Sequence, residues 1–170
     1  TQYRPSVAVL EDGSWIVVWD GYNDGSSYGV YGQRFNADGT PLGDEFLVNV
    51  TTANNQLEAS VEALADGGFA VSWQSYDQVS GSSQWDVVTR VFEATIDGTS
   101  NTPVARTGEI VANTTVLGSQ ETEGWAAETV AGLDGGRFVT VWTDWNGTDG
   151  STTGVFARLF EADGTPVSVG

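Results

Sequence analysis

The sequence predicts an all-β fold made of three blade-like repeats, each a four-stranded antiparallel sheet resembling one blade of a β-propeller. Three segments share one spacing, in which a leucine is followed by an aromatic residue five positions later and a tryptophan nine positions later. The leucines are Leu10, Leu64 and Leu133. A second block follows in every copy and ends at Phe35, Phe92 and Phe160. No stretch of ten residues shows helical periodicity.

The first two strands of each repeat are joined by a glycine-containing turn. Small and β-branched residues form the first strand, at 6–10, 60–64 and 129–133. Asp12-Gly13 and its counterparts in the other repeats supply hairpin turn chemistry. The second strand of repeat one, 15–19, is apolar at nearly every residue, which predicts burial on both faces.

The third and fourth strands follow the same scheme. After the third strand, the segments 38–41 and 163–166 both read Asp-Gly-Thr-Pro and predict tight turns. Fourth strands are predicted at 45–49 and 109–113. The repeats then span about 1–55, 56–124 and 125–170 within a single domain of residues 1–170. Repeat two has a loop insertion of roughly fifteen residues, and repeat three lacks its last strand.

The repeat size indicates how the blades are assembled. Four strands in about 50 residues match one propeller blade, but propellers close with four to eight blades. Three repeats therefore predict a partial ring. We expect it to be completed by copies of the chain itself, as a homo-oligomer, or by other repeats of a parent protein. A two-sheet β-sandwich is the alternative fold.

Composition excludes several classes of function. A net charge of −17 repels phosphate backbones and anionic lipids, so neither nucleic acid nor membrane insertion is expected. The chain has no cysteine, histidine or lysine, which removes thiolate chemistry, Ser-His triads and Schiff bases. It also has no methionine, which predicts a processed chain or a piece of a longer one. The balance of residues is typical of a bacterial extracellular protein, either secreted or on the cell surface.

Segments 24–49 and 63–73 closely resemble a tandem repeat of very large bacterial secreted proteins. These are the adhesin-like or hemolysin-type calcium-binding proteins that often carry repeats-in-toxin segments. The resemblance implies an extracellular, non-catalytic setting. It supplies no ligand-binding residue, and this chain lacks the glycine-rich nonapeptides that bind calcium in such proteins.

Calcium is the predicted cofactor, held in the loops that follow the second-strand tryptophans. Ca²⁺ is bound by six to eight oxygens, which carboxylates and amide carbonyls in a tight loop provide. The candidate ligands are Asp20, Asn23 and Asp24 in repeat one and Asp144, Asn146 and Asp149 in repeat three. The same residue types also form ordinary turns, so both interpretations stay open.

The same loops carry an aromatic residue three positions beyond each tryptophan. These residues are Tyr22, Tyr76 and Trp145, which a repeat fold places on one rim. Flat rings beside polar groups can stack on a sugar, and cell-surface glycans are the corresponding partner. Packing at blade edges or subunit contacts is the alternative role.

Three functions follow. The first is a non-enzymatic structural or adhesive module of a large bacterial surface or secreted protein. The second is a carbohydrate-binding, lectin-like propeller module. The weakest is a glycoside-active hydrolase that uses paired carboxylates. The sequence therefore predicts that the chain is not an enzyme.

Overall fold

The computed structural model describes residues 1–79, 84–114, 118–122, 129–145 and 150–168. These residues form three antiparallel sheets that follow one another along the chain. Each sheet is made of strands consecutive in sequence, so the chain is an all-β partial propeller and the β-sandwich alternative is wrong. Among the described residues, no helix has the length and apolar character needed to cross a membrane.

We name the sheets blade 1, blade 2 and blade 3. Blade 1 contains β1 (Gln2–Val9), β2 (Trp15–Tyr22), β3 (Tyr28–Phe35) and β4 (Phe46–Leu47). Blade 2 contains β5 (Gln56–Ala63), β6 (Phe69–Tyr76), β7 (Trp85–Ile96), β8 (Pro103–Ala105) and β9 (Ile110–Val111). Blade 3 contains β10 (Gln120–Glu121), β11 (Val130–Gly132), a short 3₁₀ turn (Asp134–Gly136), β12 (Phe138–Asp144) and β13 (Gly154–Phe160).

Strand register shows that the repeats are structurally equivalent. Val7 of β1 lies opposite Val17, Val61 of β5 lies opposite Val71, and Val130 of β11 lies opposite Thr140. These three strands contact each other in series, β1 to β5 and β5 to β11, as the innermost strands of adjacent blades do. Each blade therefore has a back face toward the preceding blade and a front face toward the next.

The fourth strands are shorter than predicted because a side chain replaces part of the backbone ladder. The Oδ1 atom of buried Asn49 accepts the backbone N–H of Val30 at 2.8 Å. In blade 2, Asn113 accepts the N–H of Val87 at the same distance. The strand β4 covers Phe46–Leu47, within the predicted 45–49, and the backbone N–H of Val48 adds one further bond to the Val30 carbonyl.

The core consists of two similar layers, one between each pair of blades. Ile16 and Val30 on the front of blade 1 belong to one apolar cluster with Val61 and Trp73 on the back of blade 2. Blade 2 in turn contributes its front face to a second cluster with blade 3. Every residue of β6 except the last is buried. In β2, for which two-sided burial is predicted, Trp15, Val17 and Trp19 are only half-buried, so that strand is fully buried on one face.

Arginine side chains link adjacent blades at a repeated position. Arg90 Nη1 donates to the Val48 carbonyl of blade 1 at 2.6 Å, and its guanidinium lies 5.0 Å from the Phe92 ring centroid. Arg158 of blade 3 donates to the Ala112 carbonyl of blade 2 at 3.1 Å. Burial lowers the pKa of Arg90, although Glu109 opposes the shift. The arginine remains charged at every accessible pH.

We predict that Arg90→Leu destabilises the protein, because it leaves the Val48 carbonyl without this donor and removes the cation-π contact. The expected loss is about 1–3 kcal/mol, measured as the urea midpoint and slope at neutral pH. Arg137→Leu is the matched control, because Arg137 is exposed and, among the described residues, donates across its own turn to the Asp134 carbonyl. Equal losses in the two variants would contradict the role of Arg90 between blades.

Candidate functional site

An arginine bridges two carboxylates where the inner strands of blades 1 and 2 begin. Arg4 Nη1 lies 2.9 Å from Asp20 Oδ2, and Arg4 Nη2 lies 3.5 Å from Glu58 Oε1. The backbone N–H of Glu58 donates to Asp20 Oδ2 at 3.0 Å. Asp20 is fully buried, whereas the Arg4 side chain is 45% exposed. We call these three residues the Arg4 cluster.

Equivalent irregularities in the inner strands place Arg4 and Glu58. The β1–β2 register shifts between Tyr3 and Ser6, and the β5–β6 register shifts between Leu57 and Ser60. Arg4 and Glu58 have positive φ angles of 48° and 61°, which few non-glycine residues adopt. Residues in such conformations are concentrated at functional sites.

Sequence reasoning missed this cluster, although a signal was present. Aligning 2–7 with 56–61 puts Arg4 and Glu58 at the same repeat position with opposite charges. Adjacent blades bring equivalent positions close together, so opposite charges there favour an ion pair. The predicted calcium ligand Asp20 lies against Arg4 and the Glu58 backbone in the structure.

Burial sets the protonation behaviour of Asp20. Removal from water penalises its charged form and raises its pKa, while the Glu58 N–H and Arg4 partly offset this effect. Asp20 is therefore a carboxyl group that holds its proton at higher pH than an exposed aspartate. Such a group beside a second carboxylate suits proton transfer.

A groove of about 480 Å³ lies beside the cluster, lined by Tyr3, Arg4, Tyr28 and Leu57. Its size is in the range of small-molecule sites. The Tyr3 and Tyr28 ring centroids are 6.3 Å apart, and Tyr28 contacts Tyr22 edge-on at 5.2 Å. Tyr3 and Tyr28 thus form an aromatic edge to the groove, and Tyr22 packs against Tyr28 next to it.

The predicted aromatic rim residues lie at one end of the blades. Tyr22 and Tyr76 are the last residues of β2 and β6, and Trp145 follows β12. Tyr22 and Trp145 are about half exposed, at 59% and 50%, whereas Tyr76 is half-buried and packs edge-on against Trp85. The three side chains belong to different blades, and of the three only Tyr22 packs against the groove-lining Tyr28.

The predicted calcium ligands of repeat one do not converge. Asp24 Oδ1 accepts the N–H groups of Ser26 and Ser27, and its Oδ2 accepts Asn49 Nδ2. The N–H of Asn23 donates to the Ser27 carbonyl, so this residue also forms the turn. Asp20 belongs to the Arg4 cluster.

In blade 3, the carboxylate of buried Asp144 accepts Gln120 Nε2 at 3.2 Å. Asn146 and Asp149 lie outside the described residues. Within the described part of the chain, no three acidic side chains are grouped so that they could hold a metal ion. Calcium binding stays a prediction.

The fold resembles solved polysaccharide-degrading enzymes. An endo-arabinase from Bacteroides thetaiotaomicron is 14% identical, with a TM-score of 0.51, over 99% of this chain and 57% of its own. A GH43 endo-arabinanase from Bacillus licheniformis is 13% identical, with a TM-score of 0.50, over 97% of this chain and 56% of its own. Endo-arabinanases of this type are five-bladed β-propellers. The chain spans little more than half the length of each of these structures.

No protein-family model matches the sequence, and no curated protein matches it. At 13–14% identity, the structural likeness establishes the fold. Nothing in these comparisons bears on the resemblance to adhesin-like repeats, which stays a prediction.

The comparisons contradict the function predicted from sequence. Both similar structures are carbohydrate-active enzymes, so the expectations of a non-enzymatic structural or adhesive module and of no enzymatic activity are wrong. The lectin-like alternative is closer to these similar structures, since it also names a carbohydrate, but it is still non-enzymatic. The resemblance and the scarcity of catalytic residue types led to these expectations. Neither the family resemblance nor the residue composition can reveal a carboxylate pair such as Asp20 and Glu58, because the two residues belong to different blades and meet only when the blades pack.

We predict that a rise in pH changes the stability of Asp20→Asn and of Asp38→Asn, each relative to wild type, in opposite directions. The raised pKa of Asp20 means that its contribution favours folding most below about pH 3.8 and weakens as the pH rises through the folded-state value. Asp20→Asn should therefore gain stability relative to wild type as the pH increases from 4.

Asp38 is the matched control, because the Thr40 hydroxyl and N–H lower its pKa. Its stabilising contribution is present above pH 3.8 and is lost as the pH falls through the folded-state value. Asp38→Asn should thus lose stability relative to wild type as the pH rises toward 4. Urea midpoints between pH 3 and 7 measure both trends. A constant stability difference for Asp20→Asn would exclude the buried-acid interpretation.

Proposed function

We propose that this chain forms part of a glycoside hydrolase that acts on a neutral polysaccharide at the groove beside the Arg4 cluster. The observation that carries the proposal is the pair of carboxylates, Asp20 and Glu58, joined through Arg4, which itself lines an aromatic groove. The fold shared with endo-arabinanases supports the same class of reaction.

Glycoside hydrolysis requires two carboxyl groups in different protonation states, one to protonate the leaving oxygen and one to activate water or attack the sugar. Burial raises the pKa of Asp20, so this carboxyl is protonated more readily than an exposed aspartate. Glu58 is at the more accessible end of the pair, with 13% of its side chain exposed. We assign Glu58 as the carboxylate that activates water or attacks the sugar, and Asp20 as the acid that supplies the proton to the leaving oxygen.

The groove suits a sugar chain. Tyr3 and Tyr28 offer ring faces on which the C–H surface of a sugar can stack, and Arg4 supplies hydrogen-bond donors between them. Exposed Tyr22 extends this aromatic surface away from the cluster. An elongated polymer would contact all of these groups at once, whereas a single monosaccharide would not.

Charge narrows the substrate class. With a net charge of −17, the protein repels polyuronates and other anionic glycans. Neutral pentose polymers meet no such barrier, and arabinan is the first candidate, given the names of the two similar structures. We place the protein outside the cell, where such polymers are found, as its composition predicts.

We predict that the protein releases reducing ends from linear arabinan but not from polygalacturonate. In Glu58→Gln, hydrolysis should fall about 10²–10⁴-fold, because the amide cannot exchange a proton or attack the sugar. Glu161→Gln is the control, because Glu161 is an exposed carboxylate at the far end of β13, and its activity should equal wild type. Circular dichroism melting verifies that both variants are folded.

Arabinan, xylan, galactan and glucan are assayed in parallel. Cleavage of a different neutral polymer that is lost in Glu58→Gln would keep the reaction and change the substrate. Absence of hydrolysis of every neutral polymer, or a Glu58→Gln variant with wild-type rate, would overturn the proposed function.

A further inference from the structure

We propose that the polysaccharide is also bound one blade farther along the rim, at an aromatic pair formed by Tyr76 and Trp85 of blade 2. This second subsite rests on the proposed function, because it extends the path of the same sugar chain beyond the groove. It binds neutral sugar units by ring stacking and takes no part in bond cleavage. We call the two side chains the blade 2 pair.

The blade 2 pair reproduces the aromatic pair that lies beside the groove. Tyr22 and Tyr28 face each other across β2 and β3, and Tyr76 and Trp85 face each other at the same place across β6 and β7. Both pairs meet edge-on with ring centroids 5.2 Å apart, at interplanar angles of 72° and 76°. The residue after the tyrosine has a positive φ angle in both hairpins, 86° in blade 1 and 60° in blade 2. The two hairpins therefore present their rings in the same way.

Core packing does not account for the blade 2 pair. Among the described residues, neither Tyr76 nor Trp85 belongs to either of the apolar clusters between the blades. Both side chains are half-buried, so part of each ring remains in contact with solvent. Large aromatic rings held at a rim are suited to stacking on the C–H face of a sugar, and both residue types carry a polar group that bonds to hydroxyls.

Hydrogen bonds beside the two rings hold them in place. The N–H of Asp77 donates to the Gln84 carbonyl at 2.7 Å. The N–H of Val79 donates to Asp86 Oδ2 at 3.0 Å, and Asp86 Oδ1 accepts Asn113 Nδ2 at 2.9 Å. Because rings fixed in this way lose little conformational freedom on binding, little of the stacking free energy is offset by ordering.

Contacts through Asn55 show that the groove and the blade 2 pair are neighbours. Ser27 precedes the groove-lining Tyr28, and its Oγ atom donates to Asn55 Oδ1 at 2.5 Å. The N–H of Tyr76 donates to the Asn55 carbonyl at 2.9 Å. One residue thus contacts both the β2–β3 hairpin of blade 1 and the end of β6. A sugar chain that leaves the groove past Tyr28 reaches the blade 2 pair by crossing Asn55.

The strand beneath the blade 2 pair favours binding without cleavage. Buried Gln74 has the position in blade 2 that Asp20 has in blade 1. A glutamine amide cannot supply a proton to a leaving oxygen as a carboxylic acid does. Cleavage therefore stays at the Arg4 cluster, and the blade 2 pair holds the chain at a distance from the bond that is broken.

The test is isothermal titration calorimetry with linear arabinan in the Glu58→Gln background, in which the polymer is not consumed. Adding Trp85→Ala should weaken binding about 3–10-fold, because one stacking ring is lost. Trp85→Phe keeps a ring and should restore most of the affinity. Trp15→Ala is the matched control, because Trp15 stacks on Phe35 at the opposite end of β2, and its removal should leave the affinity unchanged. Circular dichroism melting verifies that each variant is folded.

The outcomes separate this inference from the proposed function. If Trp85→Ala weakens binding and wild type releases no reducing ends, the subsite is supported and hydrolysis is not. If hydrolysis is lost in Glu58→Gln but Trp85→Ala leaves binding unchanged, the subsite is overturned and the hydrolase stands.

Xylan, galactan and glucan are titrated in parallel. Absence of binding to all four polymers would overturn the inference. Equal losses of affinity in Trp85→Ala and Trp15→Ala would also overturn it, because they would indicate a general effect on the fold.

Discussion

The structure depends on the burial of sheet faces between neighbouring blades. Each blade is apolar on both faces, and a single sheet can cover neither face by itself. Blade 2 lies between two others and is buried on both sides, so Phe69 and Trp73 are completely inaccessible. Blades 1 and 3 are each covered on one side only, which explains why equivalent residues differ so widely in exposure.

The Arg4 cluster is a product of the same stacking. Packing of blade 2 on blade 1 brings the irregular ends of β1 and β5 together, where Arg4 and Glu58 occupy the same position of their strands. Blade 1 places Asp20 beneath them, whereas the equivalent residues of the other blades, Gln74 and Thr143, are neutral. The repeats share one strand framework, and the charged residues at three of its positions, Arg4, Asp20 and Glu58, create the Arg4 cluster at the interface of blades 1 and 2.

This arrangement separates the residues that maintain the fold from those available for chemistry. Arg90 and Arg158 satisfy carbonyls of the preceding blade, and Asn49 and Asn113 complete the backbone ladders. These polar groups recur between blades and serve the architecture. The Arg4 cluster occurs at one junction in the described residues, next to an aromatic groove, and this difference identifies it as the candidate site.

The sequence by itself determined the all-β class, the repeat of the second-strand aromatics and the partial-ring architecture, because these follow from hydrophobic periodicity and turn residues within each repeat. It also selected Tyr22, Tyr76 and Trp145, since their spacing from the tryptophans is local. Only the tertiary structure decided that Asp20 faces Arg4 and the backbone of Glu58. The partners of a carboxylate on one blade belong to strands about 16 to 38 residues away, as for Asp20, and no local pattern encodes the angle at which two sheets pack.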